Sequence, residues 1–260
     1  MNQSKSRVTY IICHHNYEEF LTSAINSAKN QTYKCHICFI DDCSDNQQAV
    51  KDIIGEKLFG GQKKQESILG EKSETWKNNN FTAIFLKDGP YGPSYARNRG
   101  IEETLDTTDI FAILDADDEN YPTKIERLVK VLDLIPSIGV AYADYDILNT
   151  STNEIRREYK ELYDLHRLNQ ECIVHSGSLI KKDALLKIKE QTGFYDETLR
   201  VAEDYDLWLR ISDHFMITHV AEPLSLVRIQ PKNSTDTVAK DIWEQSWRKV
   251  NEKRMRRHNQ

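Results

Sequence analysis

Two acidic clusters hold the side chains best placed to do chemistry. Ile113-Leu114-Asp115-Ala116-Asp117-Asp118 is a short apolar run that ends in carboxylates, and Glu203-Asp204-Tyr205-Asp206-Leu207-Trp208 sets acids at the head of an amphipathic pattern. On an extended segment, carboxylates at i and i+2 project to the same side, and crowding like charges is unfavourable unless a hard cation sits among them. Mg²⁺ and Mn²⁺ suit oxygen ligands, and Mg²⁺ usually completes its shell with waters and substrate phosphates, so one or two carboxylates suffice. The same residues also satisfy an acidic turn leading to a helix at Pro122, with Asp118 near its cap. The second cluster has two readings as well. Acids at a helix N-terminus are favoured by the free backbone N–H groups, and that environment also keeps a carboxylate ionised, as a general base requires.

These clusters need a scaffold, and the hydrophobic pattern supplies one. Val8 to Cys13 predicts a first strand, and Phe20, Leu21, Ala24, Ile25 and Ala28 recur at helical spacing after a turn at His14-His15-Asn16-Tyr17. Cys35 to Ile40 predicts a second strand, ended by Asp41-Asp42-Cys43-Ser44-Asp45, with a helix running to about Leu58. Phe81 to Leu86 is the third, followed by a helix from about Ser94, and Phe111 to Leu114 is the fourth. Beyond it come an amphipathic helix ending near Pro136, a strand at Val140 to Tyr142 continuing into a hairpin, and an extended stretch at Cys172 to Ile180. Helices are expected from Asp183 and at the second acidic cluster. Strands alternating with helices imply an α/β fold with a doubly wound, mostly parallel sheet, in which ligands bind at the carboxyl ends of strands. His14 to Tyr17, Asp41 to Ser44 and Asp115 to Asp118 all fall at such ends. The polar run between Gly60 and Asn80 is read as a mobile excursion.

Composition narrows the function. A net charge of -6 offers no nucleic-acid footprint. The apolar run after Lys5 and Arg7 is too short for a signal-peptide core, and no stretch is long enough to span a bilayer, so a cytoplasmic location is expected. Five cysteines, an odd number and mostly inside apolar runs, fit reduced thiols. Cys35-His36-Ile37-Cys38 has a zinc-like look, but strand alternation turns the two cysteines to opposite faces and no second ligand pair follows.

In order and spacing, five pieces resemble family 2 glycosyltransferases with the GT-A fold, over about residues 7 to 230. They are Val8 to Tyr17; Phe39-Ile40-Asp41-Asp42-Cys43-Ser44; Gly92-Pro93-Ser94-Tyr95-Ala96-Arg97-Asn98-Arg99-Gly100-Ile101; Leu114-Asp115-Ala116-Asp117-Asp118 as the DXD-type motif; and Gly193-Phe194-Tyr195-Asp196-Glu197 ahead of Glu203 to Trp208. The resemblance implies one GT-A domain over 1–237, with about 1–118 binding the nucleotide sugar and 119–237 holding a small antiparallel acceptor-side element. It implies an inverting transfer from a nucleotide-diphosphate sugar to an acceptor hydroxyl in polysaccharide or other glycoconjugate biosynthesis. Asp41 would accept a hydrogen bond from the nucleobase, which favours a ring N–H and makes a UDP-sugar the first guess. Cys13 and His15 would line the base pocket. Asp117 would be the direct ligand of Mn²⁺ or Mg²⁺, with Asp115 nearer the ribose or metal. Arg97 and Asn98 would flank the donor pocket, and Asp204 would be the catalytic base. Where many members have a histidine after the last core strand, Leu226-Val227-Arg228-Ile229-Gln230 offers Arg228 as a diphosphate contact.

Two other classes use related parts. A metal-dependent nucleotidyltransferase would usually carry an N-terminal Gly-rich phosphate loop, which His14-His15-Asn16 is not, and a catalytically silent binding module would lose the acidic clusters, which are intact. In the tail, 238–260, Ile242, Trp243, Ser246, Trp247 and Val250 line one helical face, and Lys249, Lys253, Arg254, Arg256 and Arg257 crowd the end. Such a helix either packs its tryptophans on the domain or lies on an anionic membrane, the latter suiting a glycan or lipid-linked acceptor at the inner face of the membrane.

Overall fold

Alternating apolar and helical patterns put the chain into one sheet flanked by helices. The computed structural model describes residues 5–61, 66–69, 71–230 and 238–258. In chain order, the first half runs β1 (Val8–His14), α1 (Glu18–Lys29), β2 (Cys35–Asp41), α2 (Gln47–Phe59), β3 (Glu66–Leu69), β4 (Ser73–Lys77), β5 (Phe81–Leu86), α3 (Pro93–Thr104) and β6 (Ile110–Asp115). The second half runs β7 (Glu119–Asn120), α4 (Lys124–Leu134), β8 (Ile138–Asn149), β9 (Glu154–Glu158), α5 (Leu165–Leu168), β10 (Leu179–Lys181), α6 (Lys182–Thr192), α7 (Glu203–Ser212), β11 (Met216–Ile229) and α8 (Lys240–His258). The sheet order is β3-β4-β5-β2-β1-β6-β10-β8-β11-β7, with β9 on β8. Its centre, β5-β2-β1-β6, is parallel throughout.

Each central strand is buried on both faces, which is why these strands read as continuous apolar runs. Tyr10 and Ile12 of β1 pack with Leu21 and Ile25 of α1 and Leu128 of α4, while Ile11 packs with Ile101 of α3 and with Trp208 and Leu207 of α7. Helices thus cover both faces, as the doubly wound reading requires. β10 runs antiparallel between β6 and β8 and joins the two halves of the sheet. The expected extended stretch at Cys172 to Ile180 shrinks to its last residues, with strand beginning only at Leu179.

The polar stretch between Gly60 and Asn80 is not a simple excursion. β4 pairs antiparallel with β5 and β3 with β4, so these two strands extend the sheet edge, residues 62–65 and 70 lying outside the described residues. The anchor is Trp76, which lies edge-on to Phe59 at 5.9 Å and against Phe85 at 4.6 Å. Burying that indole outweighs the polarity of its neighbours.

The tail helix docks on the domain. Val250 is fully buried, Trp247 lies 4.7 Å from the Tyr205 ring, and Trp243 packs against the same core. Three of its basic residues are engaged on the domain. Lys253 pairs with Asp196 and reaches Asp206 at 3.3 Å, Arg257 pairs with Asp213 at 2.9 Å, and Arg254 bonds the Asn169 carbonyl. Among the described residues, no helix is long and apolar enough to cross a membrane.

Candidate active site

The register of the parallel strands determines what meets at their carboxyl edge. Cys13 sits opposite Asp115, and His14 opposite Asp41, so the ends of β1, β2 and β6 converge on a cleft of about 540 Å³. Three walls form it. Cys13, His15, Asp42, Pro90, Gly92 and Pro93 make one, Asp115 to Asp118 with Arg228 the floor, and His175, Ser176, Arg200, Glu203, Asp204 and Trp243 the far side.

Asp41 is not among the residues that line the first wall. Its carboxylate is fully buried and occupied, with Oδ1 taking the Ser44 hydroxyl at 2.6 Å and facing His14 Nδ1 at 2.9 Å, and Oδ2 taking Gln47 Nε2 at 2.9 Å and the Ser44 amide at 3.2 Å. Burial opposes its charge, but those donors outweigh burial and hold its carboxyl below the ordinary value. Four donors fill a carboxylate's acceptor sites, leaving none for a base. Asp42, the next residue, lines the cleft instead and takes the Tyr91 and Gly92 amides at 2.9 and 2.7 Å. Those bonds hold the Pro90–Gly92 turn, where Gly92 at φ 98° supplies the left-handed conformation that leads into Pro93 and α3. His15 stands in the wall as expected, its Nδ1 donating to the Asp42 carbonyl at 2.8 Å. Cys13 is there too, its thiol pushed up to about 12 by burial and kept neutral.

On the floor, Arg97 is turned toward carboxylates. Its guanidinium donates to Asp115 at 2.8 Å and Glu203 at 2.6 Å. Burial works against the charge of Asp115, but Arg97 outweighs it and keeps Asp115 ionised. Asp117 has no such partner. Burial and then the charge of Asp115 push its carboxyl up to about 6, and Asp118 is raised by burial and then by the charges of Asp117 and Asp115. Arg228 steadies this turn, donating its amide to Asp118 at 2.9 Å and its guanidinium to the Asp117 carbonyl at 2.6 Å and to Glu119. Arg97 and Arg228 therefore reach the cleft, but both guanidiniums are already hydrogen-bonded to protein oxygens. Asn98 does not reach it. Its side-chain amide ties α3 to the Tyr195 carbonyl and amide and to Glu197.

The floor is a set of hard oxygen donors under like-charge strain, and that chemistry fits a small divalent cation. Among the described residues, no group of three His, Cys, Asp or Glu side chains surrounds a common point. A shell here would rest on Asp115 and Asp117, completed by water and ligand phosphate.

The far side separates the acids of α7. Glu203 pairs with Arg97, and Asp206 is fully buried against Arg210 at 2.8 Å. Asp204 lines the cleft beside Glu203 but has no cation partner among the described residues, and its carboxylate takes the Tyr205 amide at 2.8 Å. Burial first and Glu203 second push its carboxyl up to about 7, matching a base that must take a proton near neutrality.

The sequence reading missed several residues of this side. His175 lines the cleft with its pKa held down, to about 3, by burial and by Lys124. Arg200 is exposed in the cleft and, among the described residues, pairs with no carboxylate. Its position three residues beyond the Gly193 to Glu197 motif was the available signal. Trp243 comes from α8 and was legible only as part of an apolar helical face.

Comparison with known proteins bears on this cleft. The family model described as Glycosyl transferase family 2 matches residues 9–189. An uncharacterized glycosyltransferase of Rickettsia typhi is 25% identical over 247 residues, covering 91% of this chain and 68% of that protein. The amylovoran biosynthesis glycosyltransferase AmsB of Erwinia amylovora is 22% identical, covering 83% and 67%, and the O-antigen biosynthesis glycosyltransferase WbnJ of Escherichia coli 26% identical, covering 78% and 71%. The crystal structure of S. aureus TarS 1-349 in complex with UDP-GlcNAc superposes with a TM-score of 0.69 at 15% identity, covering 95% of this chain and 66% of that one. At that identity the likeness shows the fold. The chain spans about two thirds of the length of these relatives.

Proposed function

Because the chain belongs to glycosyl transferase family 2, we propose that this cleft takes a nucleotide-diphosphate sugar, with UDP as the favoured nucleotide, and transfers the sugar with inversion to a hydroxyl of a glycan or glycan-lipid acceptor. The observation that carries the reading is the pairing of two differently held carboxylate groups across one cleft: Asp115 to Asp118 on the floor and Asp204 on the far side. UDP is supported by the TarS complexes with UDP and UDP-GlcNAc, and a glycan acceptor by the names of the Erwinia and Escherichia relatives.

In this reading the nucleoside lies against Cys13, His15 and Asp42. Asp42 rather than Asp41 is the acceptor available to a ring N–H. Asp115 and Asp117 are the residues that would hold Mn²⁺ or Mg²⁺, and the ion would supply charge to stabilise the departing diphosphate. Arg200, a cation in the cleft that pairs with no carboxylate among the described residues, adds to that charge balance. Asp204 takes the proton from the acceptor hydroxyl as its oxygen bonds to the anomeric carbon and the bond from that carbon to the diphosphate oxygen breaks. Attack comes from the face opposite the diphosphate, so one displacement inverts the anomeric configuration. No protein nucleophile is needed, in keeping with the neutral Cys13 thiol.

Incubation with Mn²⁺ and a panel of nucleotide sugars tests this directly. Release of nucleoside diphosphate supports glycosyl transfer, while release of nucleoside monophosphate or pyrophosphate contradicts it.

A further inference from the structure

We propose that His175 reads the transferred sugar, presenting an uncharged Nε2–H to a hydroxyl or carbonyl oxygen of the sugar ring of the donor. The inference rests on the donor reading of the cleft given above.

Three observations carry it. First, the tautomer is set by the backbone. The Gly177 amide donates to His175 Nδ1 at 3.1 Å. Since that nitrogen accepts, the ring proton is on Nε2. The approach is close: a Cβ on Gly177 would lie 3.0 Å from both Cε1 and Nδ1 of the ring, so a side chain there would press on the imidazole. The Tyr145 ring backs the imidazole at 4.4 Å and 35°, fixing its plane.

Second, Nε2–H is available. His175 lines the cleft, Nε2 makes no hydrogen bond among the described residues, and it is not among the polar atoms shut away from solvent without a partner. A fixed donor that opens on a cleft and has no protein acceptor is arranged for a ligand oxygen.

Third, topology places it where the sugar must be. The nucleoside wall is built on β1 and β2, and β6 with its acids comes next in the sheet order. β10 lies on the opposite side of β6 from β1, and the Ile113 amide binds the Ser178 carbonyl at 3.2 Å, which seats the His175–Ser178 segment beside Asp115. A donor whose diphosphate lies over Asp115 and Asp117 carries its sugar onward toward Asp204, and His175 borders that space. A neutral donor pinned in this way is no base and discriminates by presence or absence of its acceptor. A site built to bond a substrate oxygen rejects analogues that lack it.

Calorimetric affinities of UDP, UDP-glucose, UDP-galactose and UDP-GlcNAc, with Mn²⁺, separate the parts. His175→Ala and His175→Phe should each weaken the preferred nucleotide sugar about tenfold while leaving UDP within about twofold, and His175→Gln, whose amide supplies a donor at similar reach, should recover part of the loss. Recovery by Phe rather than Gln would show that the ring only packs against Tyr145, and an equal loss for UDP and nucleotide sugar would place His175 on the nucleotide; either overturns the proposal. Wild-type protein that binds none of the four refutes the donor reading and the role of His175 together. Wild-type protein that binds all four with the variants unchanged refutes His175 alone.

Discussion

Arg97 on α3 holds Glu203 at the head of α7 at 2.6 Å, and through that bond the helix carrying Asp204 is tied to the N-terminal half of the sheet. The same guanidinium holds Asp115 at 2.8 Å, so one buried cation positions both acidic groups of the cleft. Removing it leaves carboxylates partly buried without a partner. Arg97→Met should lower stability by about 3 kcal/mol in urea unfolding, and Arg97→Lys should recover only part, because an ammonium cannot bridge both acids. An unchanged unfolding midpoint would show that the pairing is incidental.

Asp41 and Asp42 should separate in their effect on nucleotide affinity. Asp41→Asn turns an amide into a cluster of donors, costing about 1–3 kcal/mol of stability with little direct effect on nucleotide affinity in the folded protein. Asp42→Asn also costs stability, because both of its oxygens take backbone amides, but it should in addition weaken UDP binding by the folded protein about tenfold. UDP titrations of the two folded variants check this, and a loss of affinity in Asp41→Asn but not in Asp42→Asn would restore Asp41 as the base-binding carboxylate.

This pair also marks how far the sequence could be read. Phe81–Leu86 is a strand with the bounds its apolar run predicts, and α1 buries Leu21, Ala24, Ile25 and Ala28 as its spacing requires. Periodicity within one element is local information. Which of two adjacent carboxylates turns inward is not, because it depends on His14 from β1 and Gln47 from α2. Arg97 and Arg228 line the cleft, but their partners Glu203 and Asp118 are distant in sequence, so their engagement was not legible. The β3–β4 hairpin was hidden because a single buried indole, Trp76, anchors a polar stretch.

The floor carboxylates should bind donor through a divalent cation. Asp117→Asn should reduce Mn²⁺-dependent UDP affinity strongly while the melting temperature holds. Unchanged affinity in the variant, or full activity in chelator, would contradict the metal role.

The docked tail should matter for stability. A chain ending at Thr237 loses Trp247, Val250 and the pairs made by Lys253 and Arg257, and should melt several degrees lower; Trp247→Ala alone should cost about 2 kcal/mol. With those cations engaged on the domain, salt-sensitive flotation on anionic liposomes is not expected of the full chain. Such flotation, lost on truncation without a change in melting, would favour a membrane-bound tail.

The pKa of Asp204 sets the pH profile. Burial raises it to about 7, so the carboxyl is protonated and idle below that value, and turnover should climb with rising pH through an acid limb centred near it. The limb should be absent from the residual activity of Asp204→Asn. A limb near the ordinary carboxylate range that persists in the variant would assign it to another group.

The most direct measurement compares turnover and donor affinity for Asp204→Asn against wild type. A base acts in the transition state and not in donor binding, so turnover should fall by about 10² or more with donor affinity within about twofold. Near-normal transfer by Asp204→Asn, with the loss appearing instead in Glu203→Gln or Asp206→Asn, would contradict the assignment of the base.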